Sequence, residues 1–208
     1  MDNAKKYSEV GVLILSGGVS SRQGSPKALL PHPAGGTFIG HLARAYAADL
    51  DSVPVVVMNS KILDEAGNEL SRENSKVVLI SNSDPERGRF YSVKLGFKVL
   101  QHCDFVIIHP VDNPEVVTGL TKNLAVACPA IGYSVPVYKG KGGHPVCLSK
   151  YVVNALLDKP DVSNLRQLLG AFEREEVAAG SEVLLNIDTP GLYQQYVQES
   201  SLQTAEFR

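Results

Sequence analysis

Residues 10–30 read Val-Gly-Val-Leu-Ile-Leu-Ser-Gly-Gly-Val-Ser-Ser-Arg-Gln-Gly-Ser-Pro-Lys-Ala-Leu-Leu, and their order decides the class of fold. The apolar run Val12 to Leu15 reads as a buried strand of a parallel sheet. It breaks at Ser16-Gly17-Gly18, after which come two hydroxyls, an arginine, another glycine and a lysine. Glycine has no Cβ, so the backbone can approach a ligand and turn its N–H groups toward phosphate oxygens. Arg22 adds a planar fork of donors and Lys27 a mobile point charge, together able to balance much of the charge of a nucleoside triphosphate. Pro26 stiffens the approach to Lys27. A plain strand-to-helix turn with incidental cations needs less than this. The order strand, Gly-Gly, Arg, Gly, Lys within thirteen residues points to a phosphate-handling loop.

Spacing excludes two familiar phosphate loops. A Walker A loop requires Gly-x-x-x-x-Gly-Lys-Ser/Thr, but five residues separate Gly18 from Gly24 and Ala28 follows Lys27. The dinucleotide pattern Gly-x-Gly-x-x-Gly is absent.

Outward from this loop, strands and helices alternate. Thr37 is expected to cap a helix with Ile39, Leu42, Ala43, Tyr46 and Ala47 on its apolar face. Val53 to Met58 reads as a second strand, residues 61–72 as a helix and Val77 to Ile80 as a third strand. The polar loop Asn82 to Gly88 then leads into a helix with Phe90, Val93, Phe97 and Leu100 facing the core. A fourth strand, Phe105 to His109, ends in Pro110-Val111-Asp112-Asn113-Pro114, which frames one carboxylate between two prolines. Asp112 is thereby a candidate site residue, with helix capping as the other reading. The pattern predicts an α/β domain with a mostly parallel sheet.

A helix is expected over Glu115 to Cys128 and a strand over Ile131 to Tyr138. Lys139-Gly140-Lys141-Gly142-Gly143-His144-Pro145 reads either as a basic loop for a second anionic ligand or as a hairpin turn with solvated lysines. Helices follow at Tyr151 to Leu157 and Leu165 to Phe172, the latter with Ser163 as its cap. The apolar run Val183 to Ile187 leads into Asp188-Thr189-Pro190, where Thr189 caps a final helix and leaves Asp188 spare. Residues 200–208 read as a frayed tail.

The 208 residues, 44% of them hydrophobic, are enough for a substantial core and fit one domain, with a nucleotide-binding half at 10–115 and an acceptor half at 116–199. A net charge of −2 gives no footprint for a polyanion, so nucleic acid is not an expected partner. Cys103, Cys128 and Cys147 have neither disulfide nor zinc spacing, which fits a reducing cytoplasm. No apolar run approaches the roughly 20 residues of a membrane span, so a soluble, unprocessed cytoplasmic protein is expected.

Leu15 to Pro31 resembles the signature of nucleotidyltransferases with the GT-A-like fold, Leu-Ala-Gly/Ala-Gly-x-Ser-x-Arg-Met-Gly-x-x-Lys-x-Leu-Leu-Pro. Ser16 and Gln23 stand where that family usually has Ala and Met. Three further motifs extend the resemblance to about residue 197 and direct it to the MobA/MocA-like branch. Pro110-Val111-Asp112 matches Pro-Val-Asp, with Asn113 in place of Met or Leu. Gly142-Gly143-His144-Pro145-Val146 matches a Gly-His-Pro-Val loop. Asp188-Thr189-Pro190 matches the end of Asp-Ile-Asp-Thr-Pro, with Asn186 at its first Asp.

The resemblance implies a three-layer Rossmann-like sheet with helices on both faces. It implies nucleotide contacts at Leu15, Ser16, Gly17, Gly18, Arg22, Lys27, Asn82, Gly88 and Ser92, and acceptor contacts at Lys141, Gly143 and His144. Arg22, Lys27 and Asp112 carry the catalysis, and Asp112 with Asp188 holds Mg²⁺. The implied reaction joins NMP from an NTP to the phosphate of molybdopterin and releases pyrophosphate, with a molybdoenzyme or its maturation chaperone as a further partner. CTP is favoured over GTP because the Gly-His-Pro-Val and Pro-Val-Asp matches are longer than the Gly17-Gly18 match to the guanylyl branch. Transfer to a sugar phosphate or other phosphorylated alcohol, and a non-catalytic nucleotide-binding regulator, are the alternatives. Both metal candidates are expected to follow apolar strands and to emerge at one edge of the sheet.

Overall fold

Along the first strand, Val12 and Ile14 join one hydrophobic cluster and Leu13 joins another, so the strand divides the interior into two cores. The computed structural model describes residues 9–16 and 26–206. Within it the first strand, β1 (Val10–Ser16), lies beside β2 (Val55–Asn59), and β2 lies beside β3 (Val78–Asn82), all parallel. The chain then returns to the other side of β1 as β4 (Phe105–Pro110), also parallel. This reversal opens a crevice at the carboxyl ends of β1 and β4, the usual ligand position in open α/β sheets.

The sheet continues with antiparallel strands. β7 (Val146–Ser149) pairs with β4 and with β5 (Gly132–Tyr138), which also carries the two-residue β6 (Lys141–Gly142). The order is β3-β2-β1-β4-β7-β5-β6, and β8 (Glu173–Ala178) runs parallel to β5 off this path. Helices α1 (Phe38–Leu50), α2 (Leu63–Arg72), α4 (Leu120–Ala127) and α7 (Pro190–Glu206) pack on the Val12 and Ile14 face. Helices α3 (Arg89–Leu100), α5 (Lys150–Leu157) and α6 (Leu165–Leu169) pack on the Leu13 face. The expected three-layer α/β architecture is what forms.

Local chemistry sets the helix ends. Thr37 accepts from the Gly40 N–H at 3.2 Å, the expected cap of α1. Thr189 accepts from the Leu192 N–H at 3.3 Å at the start of α7. That helix runs on to Glu206, so the expected tail from residue 200 is helical for most of its length. α6 is capped by Asn164, not Ser163, through the Gln167 N–H at 3.3 Å. α4 starts at Leu120 and not at Glu115, because Gly119 adopts φ 77° and gives its N–H to Asp49 at 3.1 Å. The segment before it, including Val116 and Val117, packs on the core without helical structure. Asp112 is therefore not a helix cap. The Val183–Ile187 run is not a strand: Ser181–Leu184 is a single 3-10 turn, and Val183 and Ile187 anchor it in the core. Among the described residues, no helix is long and apolar enough to cross a membrane.

α3 crosses β1 at Gly96, where an added Cβ would lie 2.2 Å from Leu13 Cδ1 in a fully buried core. Gly96→Ala should therefore lower stability by about 1–3 kcal/mol through overpacking. Urea unfolding checks this, and unchanged stability would show that Leu13 can move aside.

Candidate active site

Lys27 begins a short 3-10 turn after Pro26, close to the carboxyl edge of β1. Its ammonium lies 3.5 Å from Asp112 Oδ2 and forms a shorter ion pair with Asp188 Oδ1. Three residues far apart in sequence thus meet, although Asp188 arrives on an irregular segment and not from a strand. Asn186 Nδ2 donates to the other Asp188 oxygen at 2.5 Å, which fixes the carboxylate's direction. The hydrogen bond and charge of Lys27 hold the Asp188 carboxyl below the usual carboxylate range, with partial burial opposing. Asp188 stays ionised at neutral pH, and this pairing is lost only as pH falls through its lowered pKa.

Asp112 lies just past β4 in a tightly bonded turn. The Val111 N–H donates to Leu15 C=O at 3.0 Å, joining this turn to the end of β1. Buried His109 accepts from the Tyr46 hydroxyl at Nδ1, 2.5 Å away, and donates from Nε2 to Asn113 C=O at 2.7 Å. A carbonyl can only accept, so the proton resides on Nε2. Burial pushes the His109 pKa down to about 3, so the ring is neutral at physiological pH.

A cleft of about 790 Å³ runs from Leu15 and Pro110 past Gly88 to Gly143, His144 and α6. Gly88, at φ 93°, and His144 thus line one cavity, as their assignments to nucleotide and acceptor contact require. His144 lines the cleft and is itself exposed. Lost hydration lowers its pKa, Asp112 opposes and Arg89 assists. His144 is therefore neutral at pH 7 and offers hydrogen bonding without charge. Gly143 has no room for a side chain, since a Cβ would lie 2.2 Å from Val183 C=O.

The fold does not bring every expected site residue to this cleft. Asn82 is fully buried, donates to Ser92 Oγ at 2.9 Å and accepts from the Asp84 N–H at 2.9 Å. Asn82 and Ser92 do not line the cleft and instead brace the loop that presents Gly88. Lys141 pairs in β6 outside the cleft lining. The cleft's positive charge comes from Arg89, Arg166 and Arg174. Of these, Arg89 and Arg166 form no salt bridge among the described residues, and Arg174 pairs with Glu176 at 2.8 Å. Asp161, the acid in the lining, is neutralised by Arg87 and by Lys94 at 3.0 Å. No motif marks these arginines, which look like surface charges until the topology gathers them. Gly17, Gly18 and Arg22 lie outside the described residues.

A second cluster joins His32, His41 and Glu115 on the far core face. His32 Nδ1 accepts from the Ala34 N–H, leaving the Nε2 proton toward Tyr196 and Glu115, and the two imidazoles stack at 3.6 Å. Tyr196 of α7 bonds to both His32 and Glu115, so the cluster helps to dock that helix.

Two hard carboxylates converging on one cationic position suit a divalent ion such as Mg²⁺ or Mn²⁺. A mixed sheet with such a pair at its switch point, beside a cationic cleft, defines a nucleotide-handling α/β enzyme of the nucleotidyltransferase class. The chain belongs to the family of the MobA-like NTP transferase domain, which matches residues 12–177. It is 28% identical over 190 residues to the molybdenum cofactor cytidylyltransferase of Escherichia coli K12, covering 88% of this chain and 93% of that protein. It is 35% identical over 113 residues to a probable molybdenum cofactor guanylyltransferase of Rhodopirellula baltica, about half of each chain. A nucleotidyl transferase from Methanothermobacter has the same fold, with a TM-score of 0.78 at 18% identity over 94% of this chain and 99% of that one. A Mycobacterium tuberculosis relative of this fold, crystallised with manganese, has a TM-score of 0.71 at 18% identity over 92% and 99% of the two chains.

Because the Lys27 ammonium sits between the two carboxylates, it would compete there with any divalent ion that they hold. Lys27→Met should therefore bind Mn²⁺ more tightly without nucleotide, while NTP turnover falls on the order of a hundred-fold. Mn²⁺ titration by electron paramagnetic resonance and a pyrophosphate assay check both halves; weaker Mn²⁺ binding would contradict the competition.

Proposed function

We propose that the protein transfers CMP from CTP to the phosphate of a molybdopterin-type acceptor, releasing pyrophosphate, with Mg²⁺ as its metal. The observation that carries this reading is the meeting of Lys27, Asp112 and Asp188 at the sheet edge beside the arginine-lined cleft. The similarity to a cytidylyltransferase along most of both chains favours CTP over GTP.

The reaction makes one P–O bond and breaks one. An acceptor phosphate oxygen attacks the α-phosphorus, and the bond to the β-phosphate oxygen breaks. A phosphate monoester, with a second pKa of about 6, is largely dianionic at neutral pH, so no general base is required. The protein's tasks are alignment and charge neutralisation. Asp112 and Asp188 would hold the divalent ion, which supplies positive charge against the phosphate oxygens. Lys27 turns its ammonium from the carboxylates to the triphosphate, the task that the sequence motif also gives to Arg22. Neutral His144 and the guanidiniums of Arg89 and Arg166 receive the acceptor phosphate, which spares the attacking dianion from meeting only carboxylates.

The direct test supplies CTP or GTP with Mg²⁺ and molybdopterin and measures pyrophosphate and nucleotidylated product. Faster turnover with CTP supports the proposal. Turnover only with a phosphorylated alcohol, the class acted on by a 24% identical 2-C-methyl-D-erythritol 4-phosphate cytidylyltransferase, would reassign the acceptor. Nucleotide binding without product would make the protein a regulator.

Arg166→Ala should raise the acceptor KM about ten-fold or more, as expected for a lost charge-assisted hydrogen bond of roughly 1.5–3 kcal/mol. The CTP KM should change little. His144→Ala should follow the same pattern, and an effect confined to CTP would move this wall of the cleft to the nucleotide side.

A further inference from the structure

Asn113 stands where the resembling family usually has Met or Leu, and the structure gives its amide specific work. The side chain is 1% exposed. Its Nδ2 donates to Glu182 C=O at 3.3 Å and Val183 C=O at 3.4 Å, while Oδ1 accepts from the Glu115 N–H at 3.3 Å. Met or Leu can make none of these bonds.

The partners of those bonds matter more than their number. Val183 C=O also accepts from the His144 N–H at 2.8 Å, so it joins the acceptor loop to the segment that carries Asp188. One residue before Asn113, the Asp112 C=O accepts from the Ile187 N–H at 2.8 Å. From the other side, His109 Nε2 donates to Asn113 C=O, so the amide is held on a rigid strand end. Asn113 thus ties together the turn bearing Asp112, the irregular segment leading to Asp188 and the loop bearing His144. No sheet hydrogen bonds fix residues 181–188, since this segment belongs to no strand. Its position rests on such cross-links and on buried Val183 and Ile187.

We infer that Asn113 is a positioning residue: it sets the separation of Asp112 and Asp188, and the approach of His144, by stapling residues 182–183 to the end of β4. The inference rests on reading the two carboxylates as a divalent-ion site. Groups that orient metal ligands typically change metal affinity 10–100-fold when lost. A residue serving only stability would change the melting temperature and leave the metal affinity of the folded protein alone.

The test is a double-mutant cycle on the full chain, with Mn²⁺ alone as probe and electron paramagnetic resonance as readout. Asn113→Leu should weaken Mn²⁺ binding about ten-fold. Asp188→Asn should weaken it comparably, and the double variant should be no worse than the more severe single one, because both act through the same carboxylate. With CTP and acceptor, Asn113→Leu should lower kcat more than it raises the CTP KM. Asn113→Ser, smaller and keeping one donor, should lie between wild type and Leu, and carries the test if the Leu variant does not fold. Wild-type Mn²⁺ affinity in the folded variants, or losses that simply add, would overturn the staple. If the wild type binds Mn²⁺ but Asp188→Asn does not weaken it, the two-carboxylate reading itself fails, and the staple with it.

Discussion

One ammonium between two carboxylates is the interaction on which the site depends. Asp112 and Asp188, both held on one ammonium, repel each other when no cation lies between them, a repulsion that solvent weakens at the 41% exposed Asp188 side chain. Lys27 turns that repulsion into two attractions, and its side chain is only 15% exposed, so solvent screens them incompletely. Each partner arrives by a different route: Lys27 from the turn after β1, Asp112 from the bonded end of β4, and Asp188 from a segment held by cross-links. Two acids on one position favour a cation there, which suits the position to exchange between a lysine and a metal ion.

The parallel half of the molecule was legible because β1, β2 and β4 are short apolar runs buried on both faces, and its helices show periodic apolar faces. Val12 to Leu15, Val53 to Met58 and Phe105 to His109 all fall on observed strands to within two residues. β8 was not legible: Glu173-Arg174-Glu175-Glu176 is an exposed edge whose stability comes from pairing with β5, and it has no apolar alternation to detect. The start of α4 escaped for a related reason, since Val116 and Val117 meet the core without helical structure and Gly119 decides where the helix begins.

Motifs singled out Lys27, Asp112, Asp188, Gly143 and His144, and the fold brings the first three together and sets the last two on the cleft. They also singled out Asn82, Ser92 and Lys141, which lie away from the cleft lining, the first two in a buried hydrogen bond and the third at a hairpin edge. Arg89, Arg166 and Arg174 come from α3, α6 and β8, and only the tertiary fold turns three scattered cations into one cleft wall. His144 illustrates the limit of reading charge from residue type: in a Lys- and Gly-rich loop it looks basic, yet lost hydration and Arg89 lower its pKa against the pull of Asp112.

The proposed exchange of Lys27 for a metal ion between the two carboxylates is tested most directly by crystallography. Crystals grown with Mn²⁺ and CTP, measured at the manganese absorption edge, would locate the ion by its anomalous scattering. The account predicts a peak between the carboxylates of Asp112 and Asp188, with the Lys27 ammonium turned to the triphosphate. Manganese bound elsewhere, with Lys27 still bridging both carboxylates in the presence of CTP, would contradict it.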